Sequence, residues 1–123
     1  MKTITDKELE GILDIPDKLI VIKFGAEWCP PCKALAPVME LVSSIIEDLP
    51  KLYEGKIIMG SIDVDANPIS STKYGIRSIP TILFIKNGEV LERLTGLQTE
   101  AYLLLKIDQN LIKWNDLKVV NLK

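Results

Sequence analysis

The two cysteines of this 123-residue chain, Cys29 and Cys32, are separated by two prolines. Two thiols at this spacing can form and break a disulfide reversibly, which moves two electrons at a time. The sequence contains no histidine, which excludes Ser-His and Cys-His nucleophilic pairs, histidine-ligated metals and imidazole acid–base catalysis. Any chemistry must therefore use thiols, carboxylates, lysines or the backbone.

A cysteine pair can also be a structural disulfide, half of a zinc site or two inert buried thiols. A disulfide that closes so short a loop stabilises a fold little, and tetrahedral zinc needs two further ligands, which the sequence does not offer as Cys or His. The pair directly follows a predicted strand and opens a predicted helix, and this context favours redox chemistry without a metal.

The start of a helix changes the chemistry of a thiol there. The first backbone N–H groups have no partner within the helix, and the aligned peptide dipoles add about half a positive charge. Both effects favour a thiolate on Cys29, and such cysteines have pKa values of roughly 3.5–7.5 instead of ~8.5. We expect Cys29 to be the exposed nucleophile and Cys32, one turn into the helix, the buried thiol that resolves a mixed disulfide. Pro30 and Pro31 lack N–H groups, so the loop is stiff and offers few donors to the Cys29 sulfur.

The elements that must position this pair alternate between strands and helices. Two βα units, an antiparallel hairpin and a final helix predict an α/β fold, a three-layer α/β/α sandwich around a mixed sheet of four to five strands. The hairpin is the clearest local signal, because Asn87-Gly88 between two strand-like runs is typical of a type I′ turn. The predicted elements are a helix over 6–13, a central strand over 19–24, a long helix from the dithiol to about Pro50 with Pro37 as a possible kink, a strand over 57–64, a helix over 69–74, hairpin strands over 81–85 and 90–94, and a helix from Thr99.

Length and composition predict one globular domain over residues 1–123. With 47% hydrophobic residues and a net charge of −2, they exclude separate catalytic and cofactor domains, disorder and a basic nucleic-acid-binding surface. No apolar run approaches the about 20 residues of a membrane-spanning helix, and residues 1–8 lack the apolar core of a secretory signal. We therefore expect a cytoplasmic protein without membrane association. Residues 113–123 lie beyond the last clear helix and form an apolar C-terminal extension.

Several short motifs recur along the chain in the order typical of one known family: residues 24–33, Pro37, residues 65–68, residues 74–81, residues 86–89 and Gly96. Through them the sequence resembles the thioredoxin family over nearly its whole length. This resemblance implies the thioredoxin fold and dithiol–disulfide exchange that reduces disulfide-containing protein substrates, with Cys29 attacking and Cys32 resolving. It also implies no bound cofactor, electrons from a thioredoxin reductase-like enzyme, and a monomer.

Five residues take their expected substrate-binding roles from this resemblance. Trp28 resembles the family's exposed aromatic residue beside the dithiol. Pro80 is similar to the family's cis-proline, and a cis bond would turn the Ile79 backbone outward to pair with an extended substrate. Gly96, with Thr95 before it, would complete an apolar groove. From the residues alone, Pro80 is equally a proline at the first position of a strand, and Gly96 a turn glycine.

The dipeptide between the cysteines departs from the family pattern. Pro30 stands where thioredoxins usually have Gly, and the family's redox poise is sensitive to this position. Pro30 and Pro31 are therefore expected to modulate the potential. A disulfide oxidase or isomerase, or a non-catalytic adaptor that uses the same surface, remains an alternative to the reductase. The segment from residue 43 to residue 56 is also longer than is usual in the family.

Lys23 is the second departure, because it stands where thioredoxins usually have a buried Asp, and Ser61 replaces the usual Lys partner of that Asp. Side-chain alternation places Lys23 and Asp63 on one side of the sheet, so a pair of reversed polarity could form between them. Alternatively, Lys23 reaches water past Gly25, where the family usually has a large aromatic residue. A desolvated Lys23 could accept the Cys32 proton when neutral, or favour a nearby thiolate when charged.

Overall fold

The computed structural model describes the backbone of residues 1–121 and the side chains of residues 1–111. Every helix and strand predicted from the sequence is present, with bounds that differ by a few residues except at the end of the last helix. Two short elements, β1 and α3, were not predicted. In chain order the elements are β1 (Lys2–Thr3), α1 (Asp6–Leu13), β2 (Leu19–Gly25), α2 (Pro30–Asp48), α3 (Pro50–Tyr53), β3 (Ile57–Asp63), α4 (Pro68–Lys73), β4 (Thr81–Lys86), β5 (Glu89–Thr95) and α5 (Glu100–Asn121).

The five strands form one mixed sheet in the order β1-β3-β2-β4-β5. β1 and β2 run parallel to β3, whereas β4 runs antiparallel to both β2 and β5. Buried residues of α2 and α5 cover one face of the sheet, and those of α1 cover the other, on which the segment after α4 also packs. The predicted three-layer sandwich with a mixed sheet is confirmed.

β2 is the central strand, and its alternating residues feed both cores. Leu19 and Val21 pack with α2 and α5, whereas Ile20 and Ile22 pack with α1. Every residue of β2 is buried except Lys23, which is half-buried. The strand ends only five residues before α2 begins, so the cysteine pair lies at the start of a long helix, shortly after the central strand.

The segment after β3 is held in place by polar side chains at its two ends. Buried Asn67 donates from Nδ2 to the Asp63 carbonyl oxygen at 3.0 Å and accepts from the Asp6 backbone N–H at 2.9 Å. The Asp6 carboxylate in turn accepts from the Ile69 and Ser70 N–H groups at 3.2 and 2.8 Å, so it caps the start of α4. These bonds fix the backbone that carries residue 65 toward the dithiol.

The predicted hairpin turn is confirmed, because both Asn87 and Gly88 have positive φ angles, 51° and 78°, as a type I′ turn requires. The last helix differs from expectation. The C-terminal extension over 113–123 was expected beyond the helix, but α5 continues to Asn121, since residues 100–121 contain no Gly or Pro to end it. The side chains of this segment lie outside the described residues. In the described part of the chain, no helix is both long enough and apolar enough to cross a membrane.

Candidate redox site

The two cysteines form a disulfide at the start of α2, with their Cα atoms 5.2 Å apart. Cys29 is the N-cap of the helix, and its Sγ accepts the backbone N–H of Cys32 at 3.3 Å. Because Pro30 and Pro31 have no N–H, Cys32 supplies the first helical N–H after the cap. The stiff, donor-poor loop expected from the sequence is present, and a thiolate on Cys29 would lie at the positive end of a 19-residue helix.

Burial does not distinguish the two sulfur atoms. Cys29 and Cys32 are each only 3% exposed, so the expectation of an exposed Cys29 is wrong for this disulfide state. One neighbour that contributes to this burial is remote in sequence: the Ile79 carbonyl oxygen lies 3.8 Å from Cys29 Sγ. What distinguishes the two cysteines is therefore the surroundings that each one faces.

Trp28, next to the dithiol in sequence, presents a large apolar surface to solvent. Its side chain is 66% exposed, and the indole Nε1 donates to Asp65 Oδ2 at 2.7 Å. The Asp65 backbone N–H is itself bound by Asp63 Oδ1 at 2.9 Å. The ring is thus held against the end of β3 while its apolar surface stays open. Asp65 has no role predicted from the sequence; the available signal was its place in the family-like motif at residues 65–68, two residues after the end of β3.

The remaining residues expected to bind substrate lie where β4 begins and β5 ends. The Ile79–Pro80 peptide bond is cis, as the resemblance implied. Pro80 is buried, whereas Ile79 is partly exposed. The Gly96 N–H donates to the Pro80 carbonyl oxygen at 2.8 Å, and exposed Thr95 pairs with Thr81 in the sheet. These contacts bring Ile79, Pro80, Thr95 and Gly96 together. Together with Trp28 they are the residues expected from the sequence to bind substrate, and we name this set the substrate face.

A cleft of about 330 Å³ lies on the other side of the pair, lined among others by Cys32, Lys23, Gly25, Ser61 and Asp63. Burial lowers the pKa of the Lys23 ammonium, an effect that the carboxylate of Glu40 partly offsets. An ideal Cβ built on Gly25 would lie only 3.2 Å from Cys32 Sγ, so a side chain at this position would crowd the sulfur and glycine avoids that contact. We name this space the Lys23 cleft.

The reversed ion pair that the sequence left open does not form. Among the described residues no carboxylate lies within ion-pair distance of Lys23, and Asp63 bonds the Asp65 N–H instead. Lys23 instead lines the Lys23 cleft next to Gly25. Within that same part of the chain, no group of three or more His, Cys, Asp or Glu side chains is arranged to hold a metal ion.

Comparison with known proteins agrees with this geometry. The thioredoxin family model matches residues 1–109. The thioredoxin of Chlorobaculum thiosulfatiphilum is 40% identical over 107 residues, which cover 87% of this chain and 93% of that protein. The thioredoxin of Rickettsia bellii is 38% identical over 108 residues, covering 88% and 96%. A crystal structure of Malassezia sympodialis thioredoxin superposes with a TM-score of 0.74 at 31% identity and covers 89% of each chain. The chain belongs to the thioredoxin family of dithiol–disulfide reductases, which use a cysteine pair and no prosthetic group.

Proposed function

We propose that this protein reduces disulfides of protein substrates with Cys29 as the attacking sulfur and Cys32 as the resolving one. The observation that carries this assignment is the difference in surroundings. Cys29 Sγ lies against the backbone of Ile79, within the substrate face, whereas Cys32 lines the Lys23 cleft. A substrate that docks on the substrate face meets Cys29 first.

The exchange then proceeds in two balanced steps. The Cys29 thiolate attacks one sulfur of the substrate disulfide; a Cys29–substrate bond forms, the substrate disulfide breaks, and the released sulfur takes up a proton. The Cys32 thiolate next attacks Cys29 Sγ, and the second substrate sulfur leaves and is protonated. The substrate gains two electrons and two protons, and the protein is left with the Cys29–Cys32 disulfide seen in the structure.

Substrate recognition is assigned to the substrate face. Trp28 contributes exposed apolar area, and the partly exposed Ile79 offers a backbone next to the reacting sulfur. An extended peptide can bind such a surface through main-chain hydrogen bonds and shape, which tolerates many sequences. Pro30 and Pro31 modulate the reaction, because they limit the donors available to the Cys29 thiolate and so affect the redox potential.

The finer assignments of partner and location are also proposals. A thioredoxin reductase-like enzyme supplies the two electrons, and the protein acts as a monomeric single domain in the cytoplasm, with residues 113–123 as its C-terminal extension. The two bacterial thioredoxins, aligned over at least 93% of their own length, support a stand-alone domain of this kind.

Trapping with serine variants tests the assignment of the two sulfur atoms. Both Cys29→Ser and Cys32→Ser lower protein-disulfide reduction to the uncatalysed rate, because each removes one half of the exchange. Only Cys32→Ser accumulates a mixed disulfide with a single-disulfide protein substrate, detected by non-reducing electrophoresis and mass spectrometry. Accumulation with Cys29→Ser instead would reverse the roles.

The direction of electron flow is tested by the equilibrium redox potential in glutathione buffers. A value near the about −270 mV typical of thioredoxin supports the reductase, whereas a value approaching about −120 mV would make the protein an oxidant. The adaptor alternative predicts that substrate binding and cellular function persist when both cysteines are replaced by serine.

A further inference from the structure

Lys23 lies at a position where the burial of a lysine costs free energy, and the fold itself does not require a lysine there. It is the one charged residue of β2, and it shares a strand face with Leu19 and Val21, which are fully buried against α2 and α5. Removing an ammonium group from water is unfavourable unless the charge is compensated or used. The other side chains of that strand face are apolar, so the position itself does not require a cation.

The geometry directs Lys23 toward Cys32. The position of a Cβ on Gly25 would lie 3.2 Å from Cys32 Sγ and 3.9 Å from Lys23 Cε. Cys32 Sγ and Lys23 Cε are therefore no more than about 7 Å apart, the sum of these two distances. The space between them belongs to a cleft of about 330 Å³, and because one water molecule needs roughly 10–15 Å³ of such volume, several can enter.

On the α2 side, the charged group that acts on Lys23 is Glu40, and exposed Lys33 of the same helix lines the cleft. Its attraction favours the ammonium form of Lys23 and partly offsets the effect of burial on the pKa. The Glu40 carboxylate, however, is 58% exposed and bonds the terminal ammonium of Met1 at 3.2 Å. Glu40 thus helps to keep Lys23 charged without forming an ion pair with it.

The other elements around Lys23 form no ion pair with it among the described residues. On β3, the Asp63 carboxylate lines the same cleft as a negative charge, but its Oδ1 accepts the Asp65 N–H. On β4, the residue paired with Lys23 is Ile82, which is apolar. In the loop before α2, exposed Glu27 also lines the cleft. The positive charge of Lys23 is therefore not bound directly by a carboxylate, and it acts on the cleft and on the sulfur that borders it.

We propose that the Lys23 ammonium stabilises the Cys32 thiolate across the Lys23 cleft and thereby sets the pH dependence of mixed-disulfide resolution. This proposal rests on the assignment of Cys32 as the resolving thiol. The Cys32 thiol releases its proton to water in the cleft, and the thiolate attacks Cys29 Sγ. The Cys29–Cys32 bond forms, the Cys29–substrate bond breaks, and the departing sulfur takes its electron pair and then a proton. Lys23 keeps its own proton throughout and acts as a positioning charge.

The same charge affects the equilibrium between dithiol and disulfide. An ammonium stabilises a thiolate of the reduced form but has no matching charge to stabilise in the disulfide. Lys23 therefore favours the reduced protein and makes the pair more oxidising. A tenfold effect on the equilibrium constant with glutathione corresponds to about 30 mV for this two-electron couple.

Stopped-flow reaction of the reduced full-length protein with a chromogenic aromatic disulfide tests this proposal. The first release of aromatic thiolate reports attack by Cys29 and depends on reagent concentration, whereas the second reports resolution by Cys32 and does not. In Lys23→Met we expect the midpoint pH of the second phase to rise by about one unit, so that this phase is about tenfold slower at pH 6. The first phase changes by less than the second.

Two further variants distinguish charge from other causes. Lys23→Arg keeps a permanent cation that cannot act as a base, and it retains the wild-type midpoint. Lys51→Met removes an exposed lysine of α3, beyond the far end of α2, and leaves both phases unchanged. An unshifted midpoint in Lys23→Met would overturn the proposal. Lys23→Arg behaving like Lys23→Met would also overturn it, in favour of proton transfer to a neutral amine. A wrong assignment of Cys32 shows separately, in the serine trapping experiment.

Discussion

The two sides of the disulfide have different chemical surroundings. On the substrate face, Cys29 Sγ lies beside a backbone carbonyl, and Cys29 directly follows Trp28, whose apolar ring is exposed. On the other side, Cys32 lines a cleft together with half-buried Lys23 and with Gly25, which has no side chain, and this cleft has space for water. One side is suited to holding another polypeptide, and the other to handling charge.

This contrast teaches that burial does not assign the roles of a cysteine pair. Both residues are 3% exposed, so an argument from exposure alone cannot identify the nucleophile. The neighbours separate the two sulfur atoms, because substrate approach and proton release need different surroundings. If the comparison is correct, variants on one side change one step of the reaction and leave the other nearly unchanged.

The largest effect is expected on the substrate face. Trp28→Ala removes the exposed aromatic area beside Cys29, and kcat/KM for protein disulfides falls about tenfold, as for truncation of an aromatic anchor in an interface. Resolution by Cys32, measured as the second phase of the reaction with the aromatic disulfide, stays at the wild-type rate. Steady-state and stopped-flow kinetics on the same preparation give both values.

Leu52→Ala is the matched control for Trp28→Ala. Leu52 is 57% exposed in α3, at the opposite end of α2 from the dithiol, so its truncation removes exposed apolar area without touching the substrate face. Unchanged kinetics are expected. A slower second phase in Trp28→Ala would show that the two sides are not independent.

In the Lys23 cleft, we expect a stability effect of about 1 kcal/mol. Lys23→Met replaces a half-buried ammonium on the core side of β2 with an apolar side chain of similar length, and the free energy of unfolding at pH 7 rises by about this amount. Chemical denaturation of the oxidised protein measures it, with Lys51→Met as the control that leaves stability unchanged.

The pH dependence of this gain has a definite sign. Burial lowers the pKa of Lys23 in the folded protein below the ordinary value of 10.5, so between these two values the unfolded chain binds more protons. Wild-type stability therefore rises with pH in that window, and the advantage of Lys23→Met is largest below it and shrinks as the pH approaches 10.5. An advantage that grew with pH would contradict a desolvated lysine.

The sequence predicts this architecture well where local signals are strong. The β-branched run that became β2, the Asn87-Gly88 turn and the helix after the dithiol were predicted within a residue or two. The cis bond before Pro80 came from family resemblance, because a proline at the start of a strand does not itself require it. α3, four residues long, and β1, two residues long, have too little sequence to carry a periodic signal.

The site was harder to predict, because its properties depend on residues far apart in the chain. Cys29 Sγ lies beside the carbonyl oxygen of Ile79, which is 50 positions away in sequence. Whether Asp63 forms an ion pair with Lys23 depends on which donor its carboxylate binds. In the structure that donor is the backbone N–H of the neighbouring Asp65. Side-chain alternation placed Lys23 on the correct face but gave no distance across the strands.

The smallest expected effect sharpens the comparison at the edge of the substrate face. Asp65→Ala removes the acceptor of the Trp28 indole N–H, a 2.7 Å bond that holds an otherwise exposed ring. A typical intramolecular hydrogen bond contributes about 0.5–1.5 kcal/mol, and this one holds an exposed ring, so we expect kcat/KM to fall only about threefold, less than in Trp28→Ala. Asp65→Asn keeps an acceptor oxygen and stays near wild type. If Asp65→Asn were as impaired as Asp65→Ala, the carboxylate would act through its charge on the dithiol. Electrostatic control would then come from the substrate face as well as from the Lys23 cleft.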